Sequence, residues 1–128
     1  MSGLISIMET AEKGVFDMAE KEKLGIFVPT DNYIDHLIGV ARAAKKAGKE
    51  LCIFLTHNGV RISQHPRYPE LAEIINSDED DEISVCNVSW EELGLKNQSI
   101  PAGMGPKDLA TQSRHCLMID KCDRYMVL

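Results

Sequence analysis

Leu51-Cys52-Ile53-Phe54-Leu55 is apolar at every position. A strand with one face in water alternates apolar and polar residues; one without alternation is covered on both faces. Buried strands of this kind belong to parallel sheets with helices above and below. Parallel pairing needs a crossover, and the chain before Leu51 supplies one. Ile34, Leu37, Ile38, Ala41 and Ala44 form a helical stripe ending near Lys46 or Ala47, and Gly48 suits its left-handed stop. Ahead of it, Leu24 to Val28 reads as the first strand, closed by Pro29, which removes a ladder donor. Thr30, Asp31 and Asn32 then offer turn and cap chemistry.

The alternation continues downstream. Thr56-His57-Asn58-Gly59-Val60 is a corner, and Arg61 and His65 fall in the loop after it. Pro66 and Pro69 frame a second helix with Leu71, Ile74 and Ile75 facing inward. Ser77 to Glu82 is an acidic run, expected to be a solvated loop. Ile83-Ser84-Val85 is a short strand that ends at Cys86. Ser89-Trp90-Glu91-Glu92 has the capping-box spacing, which opens a short helix stopped at Gly94. Lys96 to Gly105 is a loop long enough to act as a flap. Pro106 opens a third helix that runs to about Cys122, and Arg124 to Leu128 is a terminal strand. Strand and helix in alternation define a doubly wound α/β domain over residues 24–128, with a mainly parallel sheet.

Met1 to Lys23 reads as an amphipathic helix or arm. Leu4, Met8, Ala11, Val15 and Met18 recur at spacings of four and three. That stripe packs on its own domain or serves self-association. Gly14 weakens either helix by roughly 1 kcal/mol relative to alanine.

Composition narrows the classes. The 128 residues argue for one domain. A net charge of -6 without a basic stripe argues against a nucleic-acid partner. No apolar run is long enough to span a bilayer. Four cysteines, with no secretory signal at Met1-Ser2-Gly3 and no Cys-x-x-Cys pair, read as free thiols in a reducing, cytoplasmic compartment. There is no Gly-x-Gly-x-x-Gly, no P-loop and no close histidine ligand spacing, so no cofactor or metal is expected.

Right-handed crossovers put all strand C-terminal ends on one edge, where ligands bind. Three corners should meet there: Thr30, Asp31 and Asn32; Thr56, His57, Asn58 and Gly59; and Cys86, Asn87 and Ser89. Cys86, ending its strand before a helix N-terminus, should be reachable and favoured as a thiolate. His57 would be the nearest imidazole, able to stabilise the thiolate or take the thiol proton. The plainer readings are a half-buried cysteine acting as a small hydrophobe, and a histidine that closes a turn. His36 falls on the first helix, and His115 on the surface of the third.

The pattern resembles the DsrE/DsrF-like family of small sulfur-relay proteins over roughly Leu24 to Leu128. Four features carry the likeness. They are the opening strand and Ala-rich helix with Gly48; Leu-Cys-Ile-Phe-Leu followed by Asn58-Gly59-Val60; Ile-Ser-Val-Cys followed eight residues later by Gly94; and Asp123-Arg124-Tyr125 before the last strand. The resemblance implies a three-layer, flavodoxin-like sandwich that assembles as a homo-oligomer, a trimer or hexamer. It also implies a persulfide carried on Cys86, taken from a sulfur-donor protein and passed to an acceptor protein. Asn87-Val88-Ser89-Trp90 departs from the small and basic residues that follow the cysteine in sulfurtransferase subunits. The competing expectation is a non-catalytic binding or assembly module that uses the same sheet edge.

Overall fold

The structure is a computed structural model that describes residues 22–75 and 80–128. The expected arm lies outside the described residues up to position 21. Five parallel strands form one sheet: β1 (Lys23–Val28), β2 (Glu50–Leu55), β3 (Glu82–Cys86), β4 (Leu109–Ala110) and β5 (Arg124–Val127), in the order β4-β3-β2-β1-β5. The helices are α1 (Ile34–Lys46), α2 (Tyr68–Ile75), α3 (Asn87–Glu92) and α4 (Gln112–Lys121), with 3-10 segments at His57–Gln64 and Pro106–Asp108. The result is the expected three-layer, flavodoxin-like sandwich.

Every residue of β2 is buried, as its lack of alternation requires. Leu51, Ile53 and Leu55 point to one face, packed with Ile26, Val28 and the α1 stripe Leu37, Ile38 and Ala41. Leu71, Ala72 and Ile75 of α2 and Trp90 of α3 extend this larger core. Cys52 and Phe54 point to the other face, with Cys86, Ala110 and Met118 of α4. Handedness explains the division. Steps from β1 to β4 all move in one direction, so right-handed crossovers leave their helices on one side. The return from β4 to β5 moves the opposite way and carries α4 to the other side.

Several local expectations are corrected. Tyr33, not Thr30, Asp31 or Asn32, is the N-cap of α1, and no side chain caps it. Thr30 Oγ1 instead accepts the Asn32 amide at 3.3 Å. Pro106 opens only one 3-10 turn, tied by the Gly105 amide to Asp108 Oδ2 at 2.8 Å. Leu109 and Ala110 then pair with Val85 and Cys86 as a fourth strand, and α4 starts only at Gln112. Two residues carry too little periodicity to announce a strand. The acidic run is not wholly solvated, since the Asp81 side chain is fully buried. It accepts the Leu51 amide at 2.9 Å and pairs with Lys45 Nζ at 2.9 Å, tying α1 to the start of β2 and β3. A buried charge persists only with such partners.

Two glycines of opposite character test the packing. At Gly59 a Cβ would lie 1.9 Å from the Val28 carbonyl oxygen, which is immovable backbone. Gly59→Ala should therefore cost about 3 kcal/mol or more in urea unfolding. Gly39, inside α1 with nothing within 4 Å of its would-be Cβ, should instead gain about 1 kcal/mol as Gly39→Ala. Equal effects at the two positions would contradict this packing.

Candidate functional site

The β2–β3 pairing ends at Leu55 and Val85, so one residue further on Thr56 stands opposite Cys86 at the C-terminal edge. Both belong to the face covered by α4, because Cys52, Phe54 and Thr56 alternate with the larger core. After Thr56 the chain turns sharply. His57 has φ 49, the one non-glycine residue with positive φ among those described. Histidine tolerates this left-handed conformation better than most residues, yet at some cost. The His57 amide donates to Ser89 Oγ at 2.9 Å, which holds the turn. Ser89 Oγ also lies 3.5 Å from Thr56 Oγ1.

The expected capping box is therefore absent. The helix begins at Asn87, with Cys86 at the N-cap, so Ser89 falls in its first turn rather than before it. Its hydroxyl serves the neighbouring corner instead of the helix end. Leu93 and Gly94 do close the helix, with Gly94 at φ 76.

Cys86 sits where these groups converge. Its sulfur faces the amides of Ser89 and Val88 and the hydroxyls of Ser89 and Thr56. Burial by itself would push the thiol up; these four donors outweigh it and hold Cys86 below the ordinary thiol value. Cys52, on the same face, has no such donors. Burial raises it to about 12, and its thiol donates to Glu82 Oε2 at 3.4 Å. Cys122 is also raised by burial, and Cys116 is exposed on α4.

The expectation of a reachable sulfur is corrected: Cys86 is only 2% exposed. The open space lies one residue layer away. A polar cavity of about 230 Å³ is lined by His57, Asn58, Ser89, Glu92 and Leu93. His57 enters this site through its amide and as a cavity wall. Asn58 Oδ1 accepts Arg61 Nε at 3.4 Å, and His65 Nδ1 accepts the Arg67 amide at 3.0 Å.

The three corners do adjoin, stitched through the middle one. Gly59 packs on Val28 and Thr30, and the Thr56 amide donates to Val28 at 3.0 Å. The crossovers leaving β3 and β4 run to opposite faces of the sheet, so the switch point at the C-terminal edge falls between these two strands, beside Cys86 and Asn87. Thr30, Asp31 and Asn32 lie two strands away, roughly 10 Å. One group was missed by pattern alone. His115 is not a simple surface residue: its ring stacks on Phe27 at 4.0 Å and bonds Tyr125 Oη. Its helical periodicity was legible, but its partners come from β1 and β5.

Among the described residues no group of three or more His, Cys, Asp or Glu side chains could hold a metal ion, and no helix is long and apolar enough to cross a membrane. A larger apolar groove of about 500 Å³, walled by Leu24, Val40, Ala43 and Ala47, lies at the opposite sheet edge and touches none of these residues.

No protein-family model matches the chain, and no curated protein matches it. Among solved structures it is similar to a conserved protein of unknown function from Bacteroides thetaiotaomicron, with a TM-score of 0.63 and 18% identity. The match covers 84% of this chain and 95% of the other. That likeness bears out the fold.

The donors around Cys86 make stability depend on pH in a defined direction. The folded state favours the thiolate more than the unfolded chain does. Its contribution is full above the unfolded thiol pKa and is lost as pH falls through the lower folded value. Wild type should thus gain stability relative to Cys86→Ser as pH rises through the mildly alkaline range, and a flat difference in urea unfolding would contradict this. Ser89→Ala should flatten the rise and cost about 1–2 kcal/mol, because the His57 amide loses its acceptor.

Proposed function

We propose that this protein is a DsrE/DsrF-like sulfur carrier in a cytoplasmic sulfur relay, with Cys86 as the persulfide-bearing residue. The observation that carries the reading is the convergence of two amides and two hydroxyls on one thiol. The thiolate is the nucleophile in any attack on a persulfide. Cys86 thiolate attacks the outer sulfur of a donor persulfide; the new S–S bond forms as the donor's S–S bond breaks. The donor leaves as a thiolate, and Cys86 carries the sulfane sulfur to an acceptor thiol. The same four donors that favour the thiolate suit a terminal persulfide anion. No metal or organic cofactor enters this chemistry. His57, Asn58 and Ser89 line the cavity through which a donor would approach, so opening of this corner is part of the reaction. The assembly proposed with it is a homo-oligomer, a trimer or hexamer.

The burial of Cys86 favours one other reading, a binding or assembly module whose polar cavity takes a ligand without sulfur chemistry. Mass spectrometry after incubation with a persulfide donor separates the two. Wild type should gain about 32 Da, one sulfur atom, and Cys86→Ser should not. An adduct that persists in Cys86→Ser, or forms equally on Cys116, would sink the relay. In light scattering at micromolar concentration, a monomer would remove the proposed assembly.

A further inference from the structure

A pair of thiols lies on the same sheet face as Cys86, toward its opposite edge. The strand register sets Gly25 of β1 between Cys52 of β2 and Tyr125 of β5. Cys122, just past the end of α4, rests over that glycine. A Cβ at Gly25 would fall 2.9 Å from Cys122 Sγ and 2.8 Å from Tyr125 Cδ1. Only a residue without a side chain lets the sulfur settle on the strand. There it lies within reach of the Cys52 sulfur in the smaller core. The Cys52 thiol donates its hydrogen bond to Glu82 Oε2 at 3.4 Å, and Lys121 Nζ holds that carboxylate at 2.6 Å. Both cysteines are free thiols; Cys52 is buried and Cys122 half-buried. Cys86 cannot join them, because Cys52 pairs with Glu82, four residues back along β3, roughly 13 Å away.

We propose that Cys52 and Cys122 form a reversible disulfide under peroxide-class oxidants, a redox modification site independent of Cys86. Cys122, the less buried sulfur, meets the oxidant. Its thiolate attacks one peroxide oxygen: an S–O bond forms, the O–O bond breaks, and hydroxide leaves to be protonated to water. The Cys52 sulfur then attacks the sulfenic sulfur while its thiol proton passes along its bond to the Glu82 carboxylate toward the leaving oxygen. The S–S bond forms, the S–O bond breaks, and the departing hydroxide takes that proton as water. Two thiols and one hydrogen peroxide yield one disulfide and two waters, with two electrons passing from sulfur to oxygen. Burial holds both thiols high, so the pair is slow toward alkylating reagents while proximity favours closure. The bond would fasten the end of α4, the helix over the Cys86 face, to β2.

The test oxidises the full chain with hydrogen peroxide and reads intact mass, then the alkylated tryptic digest. The expected result is a loss of about 2 Da, a Cys52–Cys122 linked peptide, and reversal by dithiothreitol. The thermal midpoint of the oxidised form should rise. Cys86→Ser and Cys116→Ser should close the bond as wild type does, which separates this outcome from that of the relay. Cys122→Ser should abolish it, and Gly25→Ala should slow closure at least tenfold. A bond mapped to another pair, or Cys122 overoxidised while Cys52 remains a free thiol after denaturation, would overturn the proposal. So would unchanged closure in Gly25→Ala.

Discussion

Burial of β2 on both faces is the constraint from which the architecture follows. Leu51, Ile53 and Leu55 need one helical layer and Cys52 and Phe54 need another. Each large side chain removed from water contributes about 1.5–3 kcal/mol, so neither layer can be left off. Because right-handed crossovers fix the side on which a helix lands, only a reversal in strand order can cover the second face. The chain makes that reversal once, after β4, and α4 is the described helix that results. Its Met118 seals the smaller core, and the paired β5 flanks β1.

The two faces have different chemistry. The larger core is aliphatic, closed by Tyr68 and Trp90. The smaller carries sulfur: Cys52, Cys86, Met118 and, at its margin, Cys122. Position along the strand, rather than residue type, separates these thiols. Mid-strand, backbone amides are committed to the ladder and cannot solvate a charge, so burial dominates at Cys52, and the neighbouring Glu82 carboxylate pushes the same way. At the strand's end the ladder stops and the first amides of α3 are uncommitted, so burial at Cys86 is outweighed.

Ser89 links these effects. It accepts the His57 amide, stabilising a left-handed turn, and it faces both Thr56 and Cys86. A strained residue persists only where its surroundings over-determine it, and here a serine from the neighbouring corner supplies the restraint. The same economy appears at the other edge, where buried Asp81 joins α1, β2 and β3 through Lys45 and the Leu51 amide.

Periodicity and run length decided much by themselves: the unbroken apolar run of β2, the five-residue stripe of α1, the stops at Gly48 and Gly94, and the parallel α/β class. These are legible because burial repeats along the chain with the period of the element. The placing of Cys86 at a strand's end came from the same signal. Contacts between distant segments decided the rest. Ser89 has the spacing of a cap, but its hydroxyl serves His57, 32 residues earlier in the chain. Leu109 and Ala110 become a strand only because β3 offers them an edge. The shielding of Cys86, the stacking of His115 on Phe27 and the meeting of Cys52 with Cys122 over Gly25 depend on which face each element covers. Sequence patterns report a residue's own element; which partner a side chain meets is set by the sheet order and by the handedness of its crossovers.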